Sequence, residues 1–188
     1  MRGGRAVTEL TCRKSSAGAT TELACSRLLR TSEVLHILDA LERVGVRYWL
    51  GGGWGVDALH GGATREHRDL DLAIDADTFG MARGTLEAMG FSAVTDWLPV
   101  RLEMAGGPGG WVDLHPVRFD SDGDGVQQGL DGATFAYPAA DLVVGSIAGR
   151  DVPCISIRLQ REFHAGYDPR PQDLHDLSIL DRLEARHR

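Results

Sequence analysis

Apolar and polar positions follow two different periods along this chain, and the changes of period mark its elements. In TSEVLHILDALERVG (31–45), Val34, Leu35, Leu38 and Leu41 fall at helical spacing between a Thr/Ser start and Gly45. That pattern predicts a capped amphipathic helix. VRYWL (46–50) is β-rich and short, and it runs into GGGWG (51–55), where a sharp turn is expected before VDALHG opens a helix. LDLAID (70–75) alternates as a strand, and ADTFGMARGTLEAMG (76–90) reads as a helix closed by Gly90. FSAVTDWL and VRLEMAG then predict antiparallel strands, from which GGPGG turns back into WVDLHPVRF (111–119). Residues 120–150 are turn-rich and give no clear element. SIRLQREFHAG and PQDLHDLSILDRLEARHR predict two helices at the C-terminal end. The expectation is one α+β domain over residues 31–188.

Charge separates the first thirty residues from the rest. They hold six Arg/Lys against two Glu, so the overall net charge of −7 leaves −11 for residues 31–188. The stretch is rich in Arg, Ser, Thr and Ala and lacks the apolar run of a secretory signal. It reads as a disordered basic extension without chemistry of its own. No apolar run approaches the length of a membrane span. Cys12, Cys25 and Cys154 show no metal or disulfide spacing, and a reduced, cytoplasmic setting is the default. An acidic body argues against stable nucleic-acid binding and favours a cationic small molecule.

The candidate chemistry lies in REHRDLDLAID. Side chains alternate along a strand, so Asp69 and Asp71 share one face, about 7 Å apart, while Leu70 and Leu72 share the other. Carboxylates so placed repel one another unless a cation or solvent offsets the cost. Mg²⁺ binds through a few carboxylates together with substrate phosphates. Alternating acids also occur on plain exposed strands, so the pair alone decides little. The upstream glycines add weight, because they let backbone N–H groups approach an anion just before a helix N-terminus. No Lys-Ser/Thr follows them, which excludes a Walker-type loop.

The combination of a strand ending in a glycine pair, a short helix and D-h-D-h on the next strand resembles the nucleotidyltransferase superfamily. YWLGGGWGVDAL, TREHRDLDLAIDAD, VRLEM, WVDLHP, VPCIS and FHAGYD, in that order over residues 31–180, resemble the lincosamide nucleotidyltransferases. They are similar, more distantly, to the aminoglycoside 2″-adenylyltransferases. The resemblance implies a polymerase β-like mixed sheet flanked by helices, with a short C-terminal helical segment. It implies transfer of a nucleoside monophosphate, AMP from ATP, to a hydroxyl of a small cationic antibiotic. It also implies a third carboxylate, which WVDLHP supplies as Asp113. On this reading Asp69, Asp71 and Asp113 hold two Mg²⁺ ions, and Asp113 accepts the acceptor's proton. Gly52 and Gly53 hold phosphates, with Arg65 and Arg101 as countercharges. Trp54 and His67 also face the nucleotide, and Glu103, His115 and Trp97 face the acceptor.

Blander readings exist for several of these residues. A tryptophan usually packs in a core, and a strand glutamate is usually solvated. His164 and His175 are expected to pack or hydrogen-bond in the C-terminal helices. DSDGDG (120–125) has the first half of an EF-hand spacing, but Gln127 and Asp131 break that pattern and a polar hairpin turn is the expectation. Transfer to an aminoglycoside, to RNA or to protein stays open at this point, as does a monomer or a homodimer.

Overall fold

The computed structural model describes residues 28–107, 110–165 and 167–186. Their frame is one nine-stranded sheet. Strands β1 (Tyr48–Leu50), β2 (Asp69–Asp75), β3 (Phe91–Trp97), β4 (Arg101–Gly106), β5 (Trp111–Phe119), β8 (Leu142–Ile147) and β9 (Arg150–Ile155) lie in the order β3-β4-β5-β2-β1-β9-β8. β6 (Gly125–Gln128) pairs with the end of β5, and β7 (Thr134–Tyr137) pairs with β6. Two pairings are parallel, β2 with β5 and β1 with β9, so the sheet is mixed as expected.

Period 2 separates the faces. Leu70, Leu72 and Ile74 of β2, Val112 and Leu114 of β5, and Leu102 and Met104 of β4 are fully buried on one face. Against them pack Val34, Ile37, Leu38 and Leu41 of α1 (Thr31–Arg43) and Ala82 and Leu86 of α3 (Phe79–Ala88). Burying a Leu- or Ile-sized side chain contributes about 1.5–3 kcal/mol, so this face is the main source of stability. The other face carries Asp71, Asp113 and His115. Part of it is covered by β7, by α4 (Ile157–Phe163) and by the smaller cluster of Ala73, Val117, Tyr137, Ile155 and Leu159.

Two helices tie the ends together. α2 (Gly52–His60) starts inside the glycine run, with Gly51 as its N-cap, so the expected sharp turn is the first turn of the helix itself. α5 (Pro171–Arg186) packs Ile179, Leu180 and Leu183 on Val56 of α2. The unread stretch 120–150 forms β6, β7 and β8, and DSDGDG is the turn between β5 and β6. Asp120 there accepts from the backbone of Asp122 at 2.9 Å and Asp124 at 3.1 Å, which is hairpin chemistry. Residues 1–27 lie outside the described residues, and so does the expectation made for them. Leu29, however, is buried in the core and its N–H donates to His67 O at 2.8 Å.

Candidate active site

Register, more than sequence proximity, assembles the polar cluster. Asp71 of β2 is the direct partner of Asp113 on parallel β5, and Asp113 is in turn the partner of Glu103 on antiparallel β4. Directly opposed residues point to the same face, so three carboxylates from three strands form one row. Donor atoms of Asp71, Asp113 and His115 lie within 4.8 Å of one another, a group that suits a cation. Asp113 is 7 % exposed and its Oδ1 has no hydrogen-bond partner, while Oδ2 is 3.3 Å from Arg101 Nη1. A buried acceptor left without a donor is costly, and a divalent cation or a substrate proton would satisfy it. The residues present therefore fit a metal ion.

Electrostatics separate the paired aspartates. Burial, then the charges of Asp71 and Glu103, push the Asp113 carboxyl up to about 7, against the pull of His115 and Arg101. Burial also works to raise Asp71, but the His115 ring facing it, with the charges of Arg101 and His164, outweighs burial and holds Asp71 below the usual carboxylate range. One carboxyl is thus kept ionised beside one poised to take a proton near neutral pH. That is the division of labour a general base requires.

The glycine run meets this row edge-on. Gly51 N–H donates to Asp71 O at 3.0 Å. Gly52 has φ +51°, and a Cβ on it would lie 2.8 Å from Asp71 Cγ. Only glycine lets the start of α2 come this close to the carboxylate. Behind the run, Gln160 of α4 is fully buried and its Nε2 donates to Gly52 O at 3.2 Å. Around these groups lies a cavity of about 1160 Å³. That exceeds the 300–1,000 Å³ of ordinary ligand sites and suits two substrates bound together.

Most of the expected site residues line this cavity: Gly52, Gly53, Arg65, Asp69, Asp71, Trp97, Arg101, Glu103, Asp113 and His115. Their roles sharpen. Arg101 sits 4.7 Å above the Trp97 ring and pairs with Glu103 at 3.2 Å as well as with Asp113, so it neutralises the carboxylate row from above. Arg65 is clamped bidentately on buried Asp176, at 2.8 and 2.6 Å, so much of its charge is engaged within the protein. Asp69 shares the face of Asp71 but not the convergent group. It opens β2 at the rim, 37 % exposed, with its carboxylate 3.1 Å from Arg68.

Two expectations are corrected. Trp54 and His67 are each 2 % exposed and do not reach the cavity. The helical rotation after Gly53 turns Trp54 into the core, where its ring stacks 4.7 Å from that of His67. His67 Nε2 lies 2.6 Å from Asp57 Oδ2, and Asp57 also accepts from Thr64 N and Oγ1 at 3.0 and 2.7 Å. This is a buried scaffold under the glycine run. Gln160, Gln127 and Tyr137 were not legible as site residues. Gln160 reaches Gly52 across 108 positions, a separation for which a single sequence carries no signal. His164 hydrogen-bonds at the end of α4 as expected, its Nδ1 2.7 Å from Gln160 O, and it also lines the cavity.

Comparison with known proteins decides the family. Residues 33–180 match the family described as aminoglycoside-2''-adenylyltransferase. The chain belongs to that family. It is 36% identical over 151 residues to a lincosamide resistance protein of Staphylococcus haemolyticus, covering 80% of this chain and 94% of that one. A 2''-aminoglycoside nucleotidyltransferase of Klebsiella pneumoniae is 29% identical over 64% of each chain. The crystal structure of the lincosamide antibiotic adenylyltransferase LnuA, bound to lincomycin, superposes with a TM-score of 0.77 at 34% identity, covering 84% of this chain and 99% of LnuA. The solution structure of ANT(2'')-Ia, at a TM-score of 0.62 and 21% identity, shares the fold. As a member of this family the chain is a nucleotidyltransferase with the polymerase β-like mixed sheet. Among the described residues no helix is long and apolar enough to cross a membrane.

Proposed function

We propose that this nucleotidyltransferase moves AMP from ATP to a hydroxyl of a lincosamide antibiotic and so confers resistance to it. The observation that carries the reading is the register pairing of Asp71 with Asp113 beneath the glycine run. Identity favours a lincosamide over an aminoglycoside, 36% across 94% of the relative against 29% across 64%.

Asp71 and Asp113 would hold Mg²⁺ on this reading, with Asp69 at the rim of the same face. The ion supplies charge neutralisation along the triphosphate and at the leaving pyrophosphate. The backbone of Gly52 and Gly53 receives the phosphates, assisted by Arg101. Asp113 accepts the proton of the incoming hydroxyl. Glu103 offers a carboxylate to the protonated amine of the acceptor, and Trp97 offers a flat apolar face beside it.

A panel of lincosamides, aminoglycosides and an RNA control, incubated with labelled ATP and Mg²⁺ and read by mass spectrometry, tests the reading. A lincosamide gaining the mass of AMP, with pyrophosphate released, is the expected result. An aminoglycoside modified faster than any lincosamide would overturn the acceptor assignment, and labelled RNA would overturn the small-molecule class.

A further inference from the structure

His115 stands 3.6 Å from Asp71 through Nε2 and belongs to the convergent group of possible cation ligands. Whether it can ligate depends on which ring nitrogen carries the proton, and its other neighbours settle that. Nδ1 is 3.2 Å from Gln127 Nε2. The amide of Gln127 is oriented from two sides. Its Oε1 accepts from Tyr137 O–H at 2.7 Å, and its Nε2 faces Val100 O at 3.4 Å. Val100 O can only accept, so the amide atom beside it must be the NH₂ group. Tyr137 is 4 % exposed, and burial, with the charge of Asp71 added, pushes its phenol up, so its proton stays in place to be donated. Gln127 itself is 7 % exposed. Both ends of the amide are therefore fixed, and the group facing His115 Nδ1 is a donor.

We propose that Tyr137 and Gln127 are positioning residues that hold His115 as its Nε2–H tautomer, with the N–H aimed at Asp71. The Nε2–H then faces Asp71 Oδ1 at 3.6 Å, longer than a hydrogen bond, where its dipole favours the charge on that oxygen, and His115 does not ligate the cation. The other Asp71 oxygen and Asp113 Oδ1 are left to the ion. The chain Tyr137–Gln127–His115–Asp71 thus runs from the β6–β7 hairpin to the metal-binding row. Partners of this kind that orient a ligating carboxylate typically matter 10–100-fold in metal affinity or activity. The kinetic part of this inference rests on the nucleotidyl-transfer reading, and the tautomer does not.

The test is a long-range ¹H–¹⁵N spectrum of the full chain with ¹⁵N-labelled histidine, metal-free at neutral pH, with His115→Gln assigning the resonance. The expected result is a protonated Nε2 and a bare Nδ1. It should persist when Mg²⁺ and a non-hydrolysable ATP analogue are added. Gln127→Glu replaces the donor by an acceptor and should move the proton to Nδ1, with kcat for AMP transfer falling about 10–100-fold. If that variant unfolds, Gln127→Leu serves instead, and its proton should be shared between the two nitrogens. A wild-type Nδ1–H tautomer, loss of the Nε2 proton on adding Mg²⁺, or a spectrum unmoved by either substitution would overturn the proposal. A moved tautomer with undiminished kcat would show that the relay does not position Asp71. Because the spectra need no turnover, they separate this inference from failure of the transfer reading.

Discussion

On the proposed mechanism Asp113 answers two demands at once, holding a cation and taking a proton. Its position between Asp71 and Glu103, under the partial cover of Arg101, explains how one carboxyl can do both. The same position makes it a liability in the metal-free protein. A carboxyl raised from 3.8 to about 7 stabilises the fold while protonated. That contribution is complete below about 3.8 and is lost as pH rises through about 7. Asp113→Asn should therefore raise the Tm of metal-free protein more at pH 8 than at pH 4, and Mg²⁺ should narrow the gap. Equal Tm differences at both pH values would contradict the raised pKa. Gly52 gives a second prediction at this scale. Gly52→Ala combines a strained φ of +51° with a Cβ 2.8 Å from Asp71 Cγ. It should lower kcat far more than it lowers the Tm, as activity assays and thermal melts on one preparation would show.

Between elements, the decisive contacts join parts of the chain that are far apart. Arg65 and Asp176 couple the loop before β2 to α5 across 111 positions. Arg65→Met should leave Asp176, 1 % exposed, as an uncompensated buried charge. Breaking a buried pair in this way costs about 3–5 kcal/mol, and Arg65→Met with Asp176→Leu should recover part of it; urea melts of the single and double variants test both statements. Legibility divides along the same line. β2 could be read because LDLAID shows a clean period of 2, and α1 because its apolar stripe spans thirteen residues between caps. β6 and β7 could not, since each has four residues bounded by glycine or 3₁₀ turns, too short for any period to declare itself. Asp71 and Asp113 were legible as a pair through motif order. The burial of Trp54 and His67 was not, because it depends on the helical rotation that follows Gly53 for Trp54 and on pairing with Asp57, ten positions away, for His67.

For the whole molecule, the sheet acts as a partition, with an apolar face toward α1 and α3 and a polar face, carrying Asp71 and Asp113, toward the cavity. Stability and chemistry are thereby largely separable. Leu72→Ala, on the core side of the residue next to Asp71, should cost about 2–5 kcal/mol yet leave kcat of the folded fraction near wild type, as denaturant melts with parallel assays would show. The domain also extends further toward the N-terminus than its amphipathic pattern suggests, since Leu29 is core and bridges to His67. Removing residues 1–30 should accordingly lower the Tm more than removing residues 1–27. The net charge of −11 carried beyond residue 30 fits an enzyme whose acceptor is a cation.

The central claim is that Asp71 and Asp113 share a cation and that Asp113 also accepts the proton. Calorimetry of Mg-ATP binding beside steady-state turnover, for Asp113→Asn and Asp71→Asn, tests it most directly. Asp113→Asn is predicted to keep nucleotide binding within a small factor while turnover falls about 10²–10⁴-fold, the usual cost of a lost general base. Asp71→Asn is predicted to lose both together. Asp113→Asn losing nucleotide binding as completely as Asp71→Asn, or turning over at the wild-type rate, would contradict the account.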